Sequence, residues 1–491
     1  MEYSVARADS FIASAKKEER FLPAYHLTPP IGWINDPNGF CCFKGQYHVF
    51  CQYYPYKPIW GPMHWGHWYS PDLVNWTWAG VALAPDQPYD RLGCFSGTAL
   101  ERDGRLWLVY TGVHKDAQGE VIQEQCLAVS DDGLHFEKYA GNPIITVDML
   151  PEGSDRHDFR DPKLLDDERG LRIVAAHRGE SSGHIVAFRG SDMYTWAYDG
   201  ELVDGISKMP ECPDYFPLQG RDILLTCLMN QPRDGLKYQN EHHAVVYYAG
   251  KEEKGRFHSR YMRSIDLGQD FYAPQTIASP DGRRLLIGWM QMWGEAPANF
   301  YLHHGWQGAY TVPRELSLDG DELIQRPVRE IERLYAGSRE IQKLSVKGCT
   351  QLPEHRAQAY RLSLTIRNMQ EKEQVIRLMD DGSESCVRLC YDRESGVLSL
   401  DRSAMPWPVF ALPGNHGPNE AHDVAAVQLP AKLEALDLDI LVDTCSIEVF
   451  AHGGRAVLTS LAYPESAENG VSLQGTFDAE QVAIHLLKPT K

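Results

Sequence analysis

A hairpin pattern recurs five times in the first two thirds of the chain, and nothing else in the sequence constrains the fold as strongly. Each copy is a short segment, a turn with glycine, then a run of β-formers. The turn glycines are Gly45, Gly104, Gly170, Gly220 and Gly282, spaced by 59, 66, 50 and 62 residues. The runs that follow end at Phe50, Tyr110, Val174, Leu225 and Ile287. Glycine suits these places because tight hairpin turns need positive φ. A second pattern keeps the same phase. Ser70-Pro-Asp-Leu-Val-Asn-Trp76 is echoed by Ser130-Asp-Asp-Gly-Leu-His-Phe136 and by Ser191-Asp-Met-Tyr-Thr-Trp196, each a polar turn closed by an aromatic. Any β protein shows glycine turns before apolar strands. Two patterns sharing one spacing of about 60 residues read instead as a five-bladed β-propeller.

Near Gly320 the pattern changes. Pro327–Leu334 reads as a short amphipathic connector, apolar at 328, 331 and 334. Beyond about residue 350 the sequence alternates with period two. Tyr360, Leu362, Leu364 and Ile366 are separated by Arg361, Ser363 and Thr365, with similar runs at 397–400, 446–450 and 481–486. Such runs are half-buried antiparallel strands, and a segment of this length built from them is a β-sandwich. The expected fold is all-β, with a catalytic propeller over 1–326, a connector over 327–349 and a sandwich over 350–491. The total of 491 residues suits more than one domain, at about 150 residues each. No low-complexity linker separates the parts, so a packed interface is expected.

Charge and cysteine usage narrow the function. A net charge of −19 and a pI near 5.4 disfavour nucleic acid and anionic membranes as partners. No apolar run approaches the roughly 18 to 20 residues of a membrane helix. The N-terminus lacks a basic start followed by an apolar run, so no signal peptide is expected. The odd count of 11 cysteines, without a CxxC pair, suits reduced thiols in the cytoplasm better than a disulfide frame or a metal site.

Counting nine residues back from each turn glycine gives Asp36, Phe95, Asp161, Glu211 and Ala273. Four of these have a proline close behind. If the offset marks the start of each innermost strand, three acids project into one funnel and Phe95 supplies a wall. Like charges placed together are costly. Hydrolysis of a glycosidic bond uses that arrangement: one carboxylate attacks the anomeric carbon and a second delivers a proton to the leaving oxygen. Two other readings stand beside this one. The acids could be turn residues on a polar rim, or the ligands of a cation.

At these residues the sequence resembles the retaining β-fructofuranosidases of glycoside hydrolase family 32, which include invertases, sucrose-6-phosphate hydrolases and fructanases. Trp33-Ile-Asn-Asp36-Pro-Asn-Gly39 is similar to the family's nucleophile motif. Phe95-Ser96-Gly97, Arg160-Asp161-Pro162 and Glu211-Cys212-Pro213 match three further blocks. Gln52-Tyr53, Trp60-Gly-Pro-Met-His-Trp-Gly-His67, Asp270-Phe-Tyr-Ala-Pro-Gln275 and Pro313-Arg-Glu-Leu316 follow in the family's order, and Asp443–Phe450 resembles a late sandwich strand. The resemblance covers almost the whole chain and implies a propeller followed by a sandwich. It implies Asp36 as nucleophile, Glu211 as general acid/base and Asp161 as transition-state stabiliser. Asn35, Gln52, Trp60, Phe95, Ser96 and Arg160 would then line the fructose pocket. Met209-Pro210 before Glu211 and Cys51 before Gln52 depart from the family's aromatic residues there.

The expected reaction is hydrolysis of sucrose, sucrose 6-phosphate or a short fructo-oligosaccharide through a covalent fructosyl-enzyme, with no metal or organic cofactor. Retention requires the carboxyls of Asp36 and Glu211 about 5 to 5.5 Å apart. Glu211 is expected to be raised by burial and by Asp36, and Asn35 or Asn38 to hold Asp36 in its charged form. A fructosyltransferase would share the intermediate, and a non-catalytic sugar-binding protein would not need the acid set. Lys57, Arg91, Lys163 and Lys208 are candidates by position for reading a phosphate. Trp76, Trp107 and Trp196 are expected in the core, Trp33 and Trp60 at the sugar, His64 and His67 as structural histidines and Cys212 as a packing thiol. No oligomeric state is assigned.

Overall fold

The computed structural model describes residues 2–179, 181–240, 242–352, 356–412, 422–466 and 468–490. A helix, Val5–Ser14, precedes five antiparallel sheets arranged as blades. The innermost strands are Gly32–Phe43, Gly93–Arg102, Phe159–Asp167, Met209–Leu218 and Tyr272–Ala278. Each lies against the next and the fifth lies against the first, closing a ring around a central channel. The all-β expectation of a five-bladed propeller and a β-sandwich describes the molecule.

Local chemistry explains the hairpins. Lys44-Gly45, Asp103-Gly104 and Gln219-Gly220 are two-residue loops whose residues all take positive φ, between 44° and 83°. That geometry matches the right-handed twist of the flanking strands. The third hairpin turns at Glu168-Arg169, and Gly170 already pairs with Asp167. The fifth turns over residues 279–283. The second repeat is a side-chain-capped turn before the outermost strand. Asp72, Asp132 and Asp192 each accept backbone N–H bonds from residues two and three further on. Such turns are a routine use of aspartate. Trp76 and Trp196 close two of them by donating to the carbonyls of Leu73 and Met193. Trp107 and Trp196 are buried and Trp76 half-buried.

The stretch 327–349, expected as a connector, holds two different elements. A 3-10 helix, Arg329–Leu334, buries Ile331 and Leu334 behind Val328. The 17-residue strand Tyr335–Gln351 then pairs along its length with Gly470–Leu487. The sheet of the sandwich therefore begins ahead of residue 350. Its ten strands wrap around one core built from Leu362, Leu364, Ile376, Leu389, Leu438, Val449 and Ile484, among others. Tyr360–Arg367 alternates buried and half-exposed as its sequence does. Ser446–Ala451 does not: all six residues are buried, because its second face packs on the propeller.

Candidate active site

Each inner strand slips register near its start, and the first slips a second time further on. The breaks fall between Ile34 and Pro37, Phe95 and Gly97, Arg160 and Lys163, Glu211 and Asp214, and Tyr272 and Gln275. A bulge leaves a residue unpaired and re-aims its side chain. Proline follows the bulged residue in Asp36-Pro37, Asp161-Pro162, Cys212-Pro213 and Ala273-Pro274, where no ladder N–H is needed. Asp161, Cys212 and Ala273 take φ of 60°, 47° and 48°.

This geometry corrects the nine-residue count. The equivalent bulge positions are Asp36, Ser96, Asp161, Cys212 and Ala273, and Glu211 stands one residue ahead of its bulge, level with Phe95, Arg160 and Tyr272. The count slips because Gly104 and Gly220 lie inside their loops, whereas Gly170 lies after its own. Gly45 leads to Asp36 only because a second bulge, between Asn38 and Cys41, adds a residue.

The two levels form two linked rings. In one, Ser96 Oγ donates to Asp36 Oδ2 at 2.5 Å. The Cys212 thiol lies 3.6 Å from both Asp36 Oδ2 and Asp161 Oδ2, and the Cys212 N–H donates to Asp161 at 2.9 Å. In the other, Glu211 accepts from Arg160 Nη2 at 2.8 Å and from the Tyr272 hydroxyl at 2.7 Å. Arg160 also donates to Asp158 at 2.5 Å and Gln123 at 3.3 Å.

A cavity of about 230 Å³ opens onto these groups. Asp36, Asp161, Glu211, Asn35, Gln52, Trp60, Phe95 and Arg160 line it. Ser96 stands behind the wall, bonded to Asp36 and Gln52. Trp60 is 40% exposed, with its ring edge-on to Phe95. Trp33 is buried and donates to Asn35 Oδ1, which leaves the Asn35 amide to donate to Asp36. Asn38 instead accepts from the Gly97 N–H. His64 bonds the Pro62 carbonyl, His67 bonds His48, and burial holds all three rings neutral by lowering their pKa values. Lys163 is buried against Asp214, and none of the four proposed phosphate readers lines the cavity. The same wall holds Gln123, Asp158, Met229, Tyr272 and Trp293, which the motif reading missed. Tyr272 was within reach of a bulge-based count. Gln123 and Met229 come from outer strands, where alternation alone marks no particular residue.

The electrostatics differ from expectation in one respect. Burial works to raise Glu211, but the Arg160 guanidinium and the Tyr272 hydroxyl outweigh it and hold the carboxyl below the ordinary glutamate range. Asp161 carries the opposite perturbation. Burial, together with the charges of Glu211 and Asp36, raises it to about 7 despite Arg160. Asp36 is raised by burial and by Glu211, and lowered by its bonds from Ser96, Asn35 and Cys212. Two aspartates raised by burial, a glutamate held low and one guanidinium are equipped for acid–base and nucleophilic work at a single carbon.

Comparison with known proteins agrees with this geometry. Residues 26–327 match the glycosyl hydrolases family 32 N-terminal domain and residues 330–487 match the family 32 C terminal. A sucrose-6-phosphate hydrolase of Escherichia coli is 37% identical over 478 residues, 94% of each chain. A raffinose invertase of Escherichia coli is 35% identical over 94% of this chain and 93% of its own. The structure of a β-fructofuranosidase of Bombyx mori superposes with a TM-score of 0.83 at 29% identity, covering 99% of this chain and 98% of that one. With both domain models matched in order, relatives above 30% identity along its length and three acids in one channel, the chain belongs to glycosyl hydrolase family 32 and is a glycoside hydrolase.

Proposed function

We propose that this enzyme is a retaining β-fructofuranosidase that hydrolyses sucrose or a related small β-fructoside through a covalent fructosyl-enzyme. The observation that carries the reading is the meeting of Asp36, Asp161 and Glu211 in one cavity with distinct hydrogen-bond partners for each. Asp36 is the nucleophile. Its Oδ2 is occupied by Ser96, Gln52 and Cys212, whereas among the described residues Oδ1 accepts only from Asn35. Attack on C2 of the fructosyl unit therefore proceeds from Oδ1. Glu211 protonates the departing oxygen and afterwards activates water as the base. Asp161 accepts hydrogen bonds from fructose hydroxyls, and these strengthen as positive charge grows on the ring. Such bonds favour the ionised form of Asp161, so its proton passes to Glu211 when substrate binds.

Asn35, Gln52, Trp60, Phe95, Ser96 and Arg160 shape the fructose pocket. Among the described residues no helix is long and apolar enough to cross a membrane. Eleven cysteines without a disulfide suit a reducing compartment, and we place the enzyme in the cytoplasm.

The test is Asp36→Ala, with folding checked by thermal denaturation. Fructose release from sucrose should fall by about a thousandfold or more, and near-wild-type turnover would remove Asp36 from the mechanism. At high sucrose, glucose and fructose should appear in equal amounts. A standing excess of glucose would mark transfer to a second sugar and favour the fructosyltransferase.

A further inference from the structure

The departing sugar lies beside whichever group protonates it, so the surroundings of Glu211 decide which leaving groups the enzyme accepts. Arg160 joins Glu211 to Asp158. Asp158 stands just before the third inner strand and lines the cavity, with its side chain 17% exposed. One carboxylate oxygen takes Arg160 Nη1, and the other ion-pairs with Arg178. Asp158 thereby engages both guanidiniums, Arg160 in the cavity lining and Arg178 outside it. Among the described residues the lining holds four carboxylates, Asp36, Asp158, Asp161 and Glu211, against the single guanidinium of Arg160, with no lysine or histidine. The rest of the lining is uncharged, Trp60, Met229 and Trp293 among it.

We propose that Asp158 makes the mouth reject an anionic leaving group, so that the natural substrate is a β-fructoside whose leaving sugar is uncharged at C6. The inference rests on the β-fructofuranosidase reading and narrows it: sucrose is a substrate, and sucrose 6-phosphate a poor one. A phosphate dianion entering the cavity meets a lining whose carboxylates outnumber its one guanidinium, and that guanidinium is already paired with Asp158 and Glu211. In a partly desolvated site that repulsion is worth about tenfold in rate or more.

Three substrates test it: sucrose, sucrose 6-phosphate and raffinose. Raffinose carries a neutral galactosyl group on the glucose C6 that bears the phosphate in sucrose 6-phosphate, so the pair separates charge from bulk. The expected kcat/KM values on sucrose and raffinose exceed that on sucrose 6-phosphate by about tenfold or more. Added salt should narrow the gap, because screening weakens repulsion. Asp158→Asn should raise the ratio of sucrose 6-phosphate to sucrose severalfold by removing one negative charge and releasing Arg160 and Arg178. A kcat/KM on sucrose 6-phosphate equal to or above that on sucrose overturns the proposal, as does a gap that widens with salt. A deficit shared by raffinose assigns the discrimination to bulk and removes Asp158 from it. An unchanged ratio in Asp158→Asn also removes that residue. No fructose from any of the three would overturn the underlying reading instead.

Discussion

Asp36 and Asp161 sit at equivalent bulges, yet their hydrogen-bond surroundings differ. Asp36 Oδ2 receives a hydroxyl at 2.5 Å from Ser96, and Asp161 Oδ2 receives the Cys212 N–H at 2.9 Å, with the Cys212 thiol at 3.6 Å and Arg160 Nε at 3.9 Å. A hydrogen bond to a charged group is worth about 1.5 to 3 kcal/mol. Ser96→Ala should therefore lift the Asp36 pKa, move the acid limb of kcat/KM up by about one pH unit and lower kcat about tenfold. A pH–rate profile reads both effects, and an unmoved acid limb would refute the role of Ser96. The alkaline limb should follow the proton of the trio, since burial and neighbouring charges raise Asp161 to about 7. Above that value the trio loses the proton Glu211 must deliver, so kcat/KM should fall as pH rises past about 7. Arg160→Gln removes the cation that depresses Glu211 and should move this limb to higher pH. Asp36 and Asp161 were legible in the sequence from their spacing to the turn glycines, whereas Asn35 and Arg160 were legible only through the resemblance of the motifs that contain them. The depression of Glu211 was not. It depends on a 2.8 Å contact between neighbouring blades, and no spacing within one strand records that contact.

At the level of elements, two glycines with superficially similar roles make different demands. Gly45 has φ of +76°, and an added Cβ would meet nothing within 4 Å. Gly45→Ala should cost about 1 to 2 kcal/mol, the penalty of a left-handed L-residue, with activity retained. Gly97 holds the place that proline takes in the other blades. A Cβ there would lie 2.0 Å from the Val109 carbonyl oxygen. Its N–H bonds Asn38, and its carbonyl accepts from Gln275. Gly97→Ala must push the Ser96 bulge away from its neighbour strand, so it should cost more than about 3 kcal/mol and lower turnover with it. Urea denaturation of the two variants, compared with sucrose turnover, distinguishes them. The strands were legible because turn residues and period-two runs are local. Their register was not, since a bulge inserts one residue without a compositional mark, and one residue was enough to misalign Glu211. The two-sided burial of Ser446–Ala451 was hidden for a similar reason, since the propeller supplies its second face.

On the scale of the molecule, the two domains are fastened by a buried chain of charges. Asp443 accepts the N–H groups of Ala24, Tyr25 and His26 and pairs with His26 Nδ1 at 2.8 Å. His26 Nε2 reaches Glu448 at 2.9 Å, Glu448 reaches Arg314 at 2.6 Å, and Arg314 reaches Asp266 at 2.9 Å. His26 and Arg314 come from the propeller side, Asp443 and Glu448 from the sandwich. The Asp443–Phe450 and Pro313–Leu316 motifs therefore mark an interface, and only the three-dimensional pairing gives them that meaning. Burial opposes the charge on His26, but Asp443 and Glu448 outweigh it and raise its pKa to about 9. The unfolded value is about 6.5. A raised folded pKa means that the stabilisation is complete below about pH 6.5 and is lost as pH climbs through 9. The melting temperature should therefore decline from pH 6.5 to 9.5. His26→Gln should flatten that slope while lowering stability by about 3 to 5 kcal/mol, because it leaves Asp443 and Glu448 buried without their shared cation. If the wild-type slope persists in the variant, another group titrates there and the interface is not held by protonated His26. A flattened slope with a single unfolding transition would show that the His26 charge contributes to the stability of one cooperative unit.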